Sequence, residues 1–163
     1  MIIVSSAAPL INISRLKLFQ RLPLLYKKII IPEAVFEEVV VNGKRGAGAS
    51  NILKAVKKGW MLQERVNSPL ALSALSETFC NGEAEAIVLA SEVSADAILL
   101  DDNKARRVAG SMKLSVTGTI GFLIDLKQMD IIPKIKPYLE AAVKLGFGIT
   151  PELFNKILLK TGE

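Results

Sequence analysis

Short apolar runs alternate with helical stripes along most of the chain. Ile2-Ile3-Val4 is a run of β type that stops at small residues, and Pro9 opens a helical pattern with Leu10, Ile13, Leu16 and Leu18 on one side. The unit then repeats: Lys27 to Ile31 predicts a second strand, and from Pro32 a helix follows with Val35, Phe36, Val39 and Val40 as its apolar stripe. Gly43 to Gly48 interrupts the pattern as a flexible basic loop, and Ser50 is placed to cap a helix over Asn51 to Lys58. Trp60 to Val66 predicts a short strand, Pro69 to Phe79 a helix or loop-helix, Gly82 to Val93 a helix, and Ala97 to Leu100 a buried strand. Helices follow over Asn103 to Met112, Ile120 to Met129, Pro133 to Leu145 and Pro151 to Leu159, with a last strand at Leu114 to Val116. Strands of this kind alternating with helices imply an α/β fold whose mostly parallel sheet is covered on both faces.

Composition narrows the chemistry. With 163 residues, half of them apolar, the chain is expected to form one domain over residues 1–163, with 133–163 as a C-terminal helical extension. Cys80 is the sole cysteine and histidine is absent, which excludes disulfide frameworks, Cys/His zinc sites and Ser-His or Cys-His nucleophiles. Carboxylates, hydroxyls and lysines remain. The net charge of +5 favours an anionic partner such as RNA, DNA or an acidic protein, a bias shared by many proteins that bind none of these. No basic segment leads into a long apolar stretch at the N-terminus, and no apolar run approaches the roughly 20 residues that cross a bilayer, so a cytoplasmic protein without membrane attachment is expected.

The acids are placed unevenly. At 100° per residue Glu83 falls among Ala86, Ile87 and Ala90, whereas Glu85 lies nearly opposite, beside Glu92, and is expected to be solvated. Glu83 sits on an apolar face in a first helical turn, where it needs a cation, a donor or the helix terminus itself; complementing its own helix dipole is the plain alternative. Asp101 and Asp102 end a buried strand, and two consecutive acids point in opposite directions, so one is expected in a cleft and the other capping the next helix or bonding Arg106 or Arg107. Glu37 and Glu38 pose the same choice, with Glu38 preferred because it borders Val35 and Val39. Glu38, Glu83 and Asp101 come from the ends of separate units and can converge at the C-terminal edge of the sheet to hold Mg²⁺ or Mn²⁺, which would activate water towards a phosphodiester. Lys44, Arg45, Lys104, Arg106 and Arg107 are candidates for holding an RNA backbone, although for any one of them an ordinary solvated surface position is the commoner role.

In order along the chain, Ile3-Val4-Ser5-Ser6-Ala7-Ala8-Pro9-Leu10-Ile11, Ile31-Pro32-Glu33-Ala34-Val35-Phe36-Glu37-Glu38-Val39, Gly82-Glu83-Ala84-Glu85-Ala86-Ile87, Leu99 through Ala109 and Val116-Thr117-Gly118-Thr119 resemble the PIN-domain family. The likeness is closest to the relatives of VapC toxin nucleases. It implies a three-layer α/β/α sandwich, Mg²⁺- or Mn²⁺-dependent endoribonuclease activity, a small antitoxin partner and a homodimer. Carried over by position, the family's acids fall on Glu38, Glu83 and Asp101, with Asp102 as a further acid and Thr117 as a small polar residue near the metal. The family's opening pattern has an aspartate where this chain has Ser6 and a hydroxyl where it has Ala8. A neutral serine is a weak ligand for a hard cation, so the site falls from about four carboxylates to three and its affinity falls with it. Two functions follow: a metal-dependent ribonuclease working with the remaining acids, or a non-catalytic PIN-like module that binds RNA or protein. The C-terminal apolar residues Ile135, Leu139, Val143, Phe147, Leu153, Phe154, Ile157 and Leu158 serve either a dimer interface or the core of one chain.

Overall fold

In the computed structural model, which describes residues 1–43 and 45–163, the inner apolar runs become strands with no face left in water, whereas the outermost strands are partly exposed. Ile3, Val4, Ile29, Ile31, Ile98 and Leu99 are all 0% exposed, as expected of parallel strands covered on both sides. Among the described residues, β1 (Ile2–Ser5), β2 (Lys28–Pro32), β3 (Met61–Glu64), β4 (Ala97–Leu99) and β5 (Val116–Thr117) form one all-parallel sheet in the order β3-β2-β1-β4-β5. The chain moves outward from β1 to β3, then returns to the other side of β1 with β4. The order therefore reverses between β1 and β4, and the crevice beyond their carboxyl ends is where such sheets gather ligand groups.

The helices are α1 (Ala7–Arg15), α2 (Leu22–Leu25), α3 (Glu33–Phe36), α4 (Ala49–Lys58), α5 (Pro69–Ser76), α6 (Asn81–Glu92), α7 (Asn103–Ser111), α8 (Thr119–Gln128), α9 (Lys136–Lys144) and α10 (Pro151–Lys160). Side chains alternate across the sheet. Ile3, Ile29 and Ile31 join one apolar layer with Leu10, Phe122 and Leu139, while Val4, Ile30 and Ile98 join another with Ile87, Leu89 and Ala105. The result is the three-layer α/β/α arrangement. None of the described helices is long and apolar enough to cross a membrane.

Several local expectations are corrected. Ser50 is not a cap: α4 starts at Ala49, and Gly48 holds the N-cap position with φ +90°, a left-handed conformation suited to glycine. The region before β2, for which the sequence pattern predicts no element, forms a 3₁₀ turn over Phe19–Arg21 and then α2, because Leu18, Phe19 and Leu22 are pulled into the core. Glu85 is not solvated. Its Oε2 accepts the Ala34 N–H at 3.0 Å at the start of α3, and Glu92 likewise accepts the Asn67 and Ser68 N–H groups ahead of α5. The polar side of α6 is thus spent on satisfying the open N-termini of its neighbours. Lys44 lies outside the described residues. In the C-terminal region Ile135, Leu139 and Ile157 are buried in the core, with Phe147, Phe154 and Leu158 packed against it. Val143 and Leu153 are exposed.

The burial pattern sets a stability contrast. Phe122, fully buried, is expected to cost about 3–5 kcal/mol when changed to alanine. Leu70→Ala at the surface of α5, 85% exposed, should change stability by no more than about 0.5 kcal/mol. Urea unfolding of the two variants measures both.

Candidate functional site

At the carboxyl end of β1 the chain turns directly into α1 through Ser6. The Ser6 side chain is 2% exposed, and both its backbone N–H (3.1 Å) and its Oγ (3.3 Å) donate to the Leu99 carbonyl of β4. Its hydroxyl is therefore turned into the strand pair. The next strand over, β4, ends in Leu100 and then Asp101-Asp102, and the two acids part. Asp102 is the N-cap of α7, its Oδ1 accepting the Ala105 N–H at 2.8 Å. Asp101 points inward, where Asn12 of α1 donates to Oδ2 at 2.8 Å, the Thr119 hydroxyl to Oδ2 at 2.6 Å and the Thr119 N–H to Oδ1 at 2.7 Å.

Gly118 makes this arrangement possible. A Cβ there would stand 2.7 Å from Asp101 Oδ1, 2.7 Å from Arg106 Nη1 and 2.8 Å from the Leu100 carbonyl oxygen. Only hydrogen fits. Arg106 does not bond an acid: its Nη1 donates to the Leu100 carbonyl at 2.8 Å and so braces the same strand end. Thr117, which the family resemblance sets as a small polar residue near a metal, is in β5 with its Oγ1 against Gly121 of α8. Thr119, two residues on, is the hydroxyl that bonds Asp101. Neither Thr119 nor Asn12 is among the residues expected from sequence, although each carried a signal: an amide set between Ile11 and Ile13 in a helix, and a second hydroxyl one residue beyond a glycine.

Glu38 and Glu83 meet elsewhere. After α3 the backbone widens into a π-type turn over Glu37–Val41, which shifts side-chain directions away from those of a regular helix. Glu38 on this turn approaches the start of α6, where a Cβ on Gly82 would stand 2.8 Å from its Oε2. A cleft of about 260 Å³ opens here, lined by Glu37, Glu38, Asn42 and Asn81 among others. Partial loss of water pushes the Glu38 carboxyl above its ordinary range, and the negative charge of Glu83 pushes it further. The Cys80 thiol, just before α6, is raised by burial, drawn back by the Glu83 amide and raised again by the charges of Glu83 and Glu38.

Mg²⁺ takes six oxygen ligands, usually one or two carboxylates with waters filling the rest, so a centre shared by all the expected acids needs them within reach of one ion. Among the described residues no three His, Cys, Asp or Glu side chains gather closely enough to hold a metal ion, so Asp101 does not join Glu38 and Glu83 in one coordination sphere. Asp101 already receives three donors, and Ser6 offers a hydroxyl that is engaged with a carbonyl. As arranged, these residues do not fit a shared cation centre. Of the basic candidates, Arg45, Lys104 and Arg107 are exposed, Lys104 with its Nζ 5.9 Å from the centroid of the Phe79 ring. Among the described residues the one ion pair is Arg65 with Glu33, remote in sequence from these.

The DUF3368 family model, described as a PIN domain, matches residues 2–163. Among solved structures the chain is similar to a PilT N-terminus domain protein of the hyperthermophilic archaeon Sulfolobus solfataricus P2, at 17% identity and a TM-score of 0.52 over 73% of this chain and 87% of that one. It is also similar to a domain of a functionally unknown protein from Methanocaldococcus jannaschii DSM 2661, at 20% identity and a TM-score of 0.49 over 72% of this chain and 89% of that one. No curated protein matches the sequence.

Two outcomes follow from this geometry. Gly118→Ala forces a Cβ against a backbone carbonyl and is expected to cost about 1–3 kcal/mol in urea unfolding. Because the Glu38 carboxyl is raised in the folded state, its contribution to stability is fully present below its ordinary value of 4.5 and is lost as pH rises through the folded value. Glu83→Gln removes the second cause of that shift, so the variant is expected to lose less stability than the native chain between pH 4 and 7, a difference read from thermal unfolding across that range.

Proposed function

Given that the chain belongs to the PIN-domain family, a fold generally of nuclease type, we propose that it is an RNA-binding protein in which the hydrolytic centre is incomplete. The observation that carries this reading is the state of Asp101. Its two oxygens already accept three hydrogen bonds, from Asn12 and Thr119, and Ser6, which stands where the family resemblance calls for a further acid, brings a neutral hydroxyl facing Leu99. The polar groups at the mouth of the sheet are thus used to hold chain segments together. RNA is supported by the net charge of +5 and by exposed Arg45, Lys104 and Arg107, which suit a phosphate backbone better than a neutral partner.

A second reading, divalent-metal-dependent cleavage of RNA, is favoured by one observation. Glu38 and Glu83 are close enough for the charge of one to raise the other, and adjacent carboxylates are the type of charge a divalent cation relieves. One experiment separates the two: binding and cleavage of a single-stranded RNA with millimolar Mn²⁺ by the native chain, Ser6→Asp and Asp101→Asn. The expected result is retention of RNA by the native chain without cleavage, and Mn²⁺-dependent cleavage once Ser6→Asp restores a carboxylate. Cleavage by the native chain that Asp101→Asn abolishes would overturn the proposal in favour of the nuclease. A native chain that neither retains nor cuts RNA would overturn both.

A further inference from the structure

Beside Asp101 lies a second and larger cleft of about 510 Å³, which shares no lining residue with the cleft at Glu38. That size falls within the roughly 300–1,000 Å³ usual for small-molecule sites. Its two ends differ in chemistry. At the polar end stand Asp101, Asn103 and Arg106, at the start of α7 and just past the end of β4. The rest of the wall is apolar, formed by Ile120 and Ile124 of α8, Leu153 of α10, and Phe147 with Ile149 on the link from α9 to α10.

Phe147 is held in a particular way. It lies between Gly146, at φ +94°, and Gly148; at either glycine a Cβ would meet nothing within 4 Å, so both flanking positions face open space, while Phe147 itself is half-buried with one side against the core. The loop is also pinned, since the Phe147 N–H donates to the Ala142 carbonyl at 3.1 Å and the Ile149 N–H to the Phe147 carbonyl at 2.8 Å. An aromatic side chain on a pinned loop, half-buried and lining an open cleft, is the arrangement on which unstacked bases of single-stranded nucleic acid stack. The adjoining charges are ordered to suit. Arg106 uses Nη1 on the Leu100 carbonyl, and the remaining guanidinium donors are left for a phosphate. Asp101 is negative, which disfavours a free anion on the floor of the cleft and leaves a neutral ring as the better occupant; its lone pairs beyond the three donors it accepts can take an N–H from the ring edge.

We infer that the cleft between Asp101 and Phe147 is a nucleobase subsite: one base of a single-stranded RNA stacks on Phe147 against the wall of Ile120 and Leu153, and the neighbouring phosphate is held by Arg106. This inference rests on the RNA-binding reading, and it adds to it the position where a base, rather than the backbone, is held.

The test is fluorescence-anisotropy binding of an eight-nucleotide single-stranded RNA, and of an abasic strand of the same length, to the native chain and to Phe147→Ala, Phe147→Leu, Phe147→Trp and Arg106→Gln, each checked for folding by thermal unfolding. Phe147→Ala and Phe147→Leu are expected to weaken binding of the RNA by roughly 5- to 150-fold, with little effect on the abasic strand, whereas Phe147→Trp keeps native affinity. Arg106→Gln should weaken both strands alike and lower the slope of log affinity against log salt by about one. The subsite is overturned if Phe147→Leu binds as tightly as the native chain, if Phe147→Ala and Phe147→Leu lose affinity for both strands equally, or if Arg106→Gln leaves the salt dependence unchanged; in each case the native chain still binds RNA and the broader reading stands. A native chain with no affinity for either strand overturns both.

Discussion

The carboxylate of Asp101 joins three parts of the chain that sequence keeps apart: the end of β4 that carries it, Asn12 in the first helix and Thr119 at the start of α8. Hydrogen bonds to an ionised group are about twice as strong as neutral ones, and a partly buried carboxylate left without its donors is costly. The contact therefore sets the geometry of the crevice where the strand order reverses. Gly118 has to lack a side chain because of it, Arg106 braces the same strand end through the Leu100 carbonyl, and the cleft that reaches to Phe147 takes its polar end from it.

That commitment has a chemical consequence. A carboxylate surrounded by protein donors contributes its charge to the fold, and the same oxygens are then less free for a cation. The other acids of the sheet edge are a separate pair, Glu38 and Glu83, brought together by the π-type turn after α3 and by the absence of a side chain at Gly82. Two like charges side by side raise Glu38, a repulsion that persists unless something cationic or protonated sits between them. The crevice is thus divided into a structural carboxylate at its centre and an unrelieved acidic pair to one side. Fold membership leaves function open, and the two halves of this division pull in opposite chemical directions: a carboxylate committed to protein donors, and an acidic pair of the kind a cation relieves.

Helix α6 shows the same economy on the other face of the sheet. Its apolar residues fill the core between sheet and neighbouring helices, and its glutamates close the N-termini of α3 and α5. A wheel drawn from the sequence assigns Glu85 to water because it treats one helix in isolation. In the fold, that side of α6 faces two other helix ends whose N–H groups lack intrahelical partners.

The sequence by itself determined the elements. Apolar runs such as Lys28–Pro32 and Ala97–Leu99 and the spacing of Val35, Val39, Ile87 and Leu123 carry their periodicity locally, so most strand and helix positions (though not the short turns before β2), the α/β class and the covering of both sheet faces were legible without coordinates. So was the divergence of Asp101 and Asp102, since neighbouring residues cannot face the same way at a strand end. What only the tertiary structure decided was partnership: Asn12 and Thr119 on Asp101, Glu85 on the start of α3, Gly48 in place of Ser50 at the head of α4, and Glu38 with Glu83 in a cluster that does not include Asp101. The physical reason is that periodicity is a property of a few successive residues, whereas a hydrogen-bond partner 89 positions away along the chain is chosen only when packing fixes the distance between them.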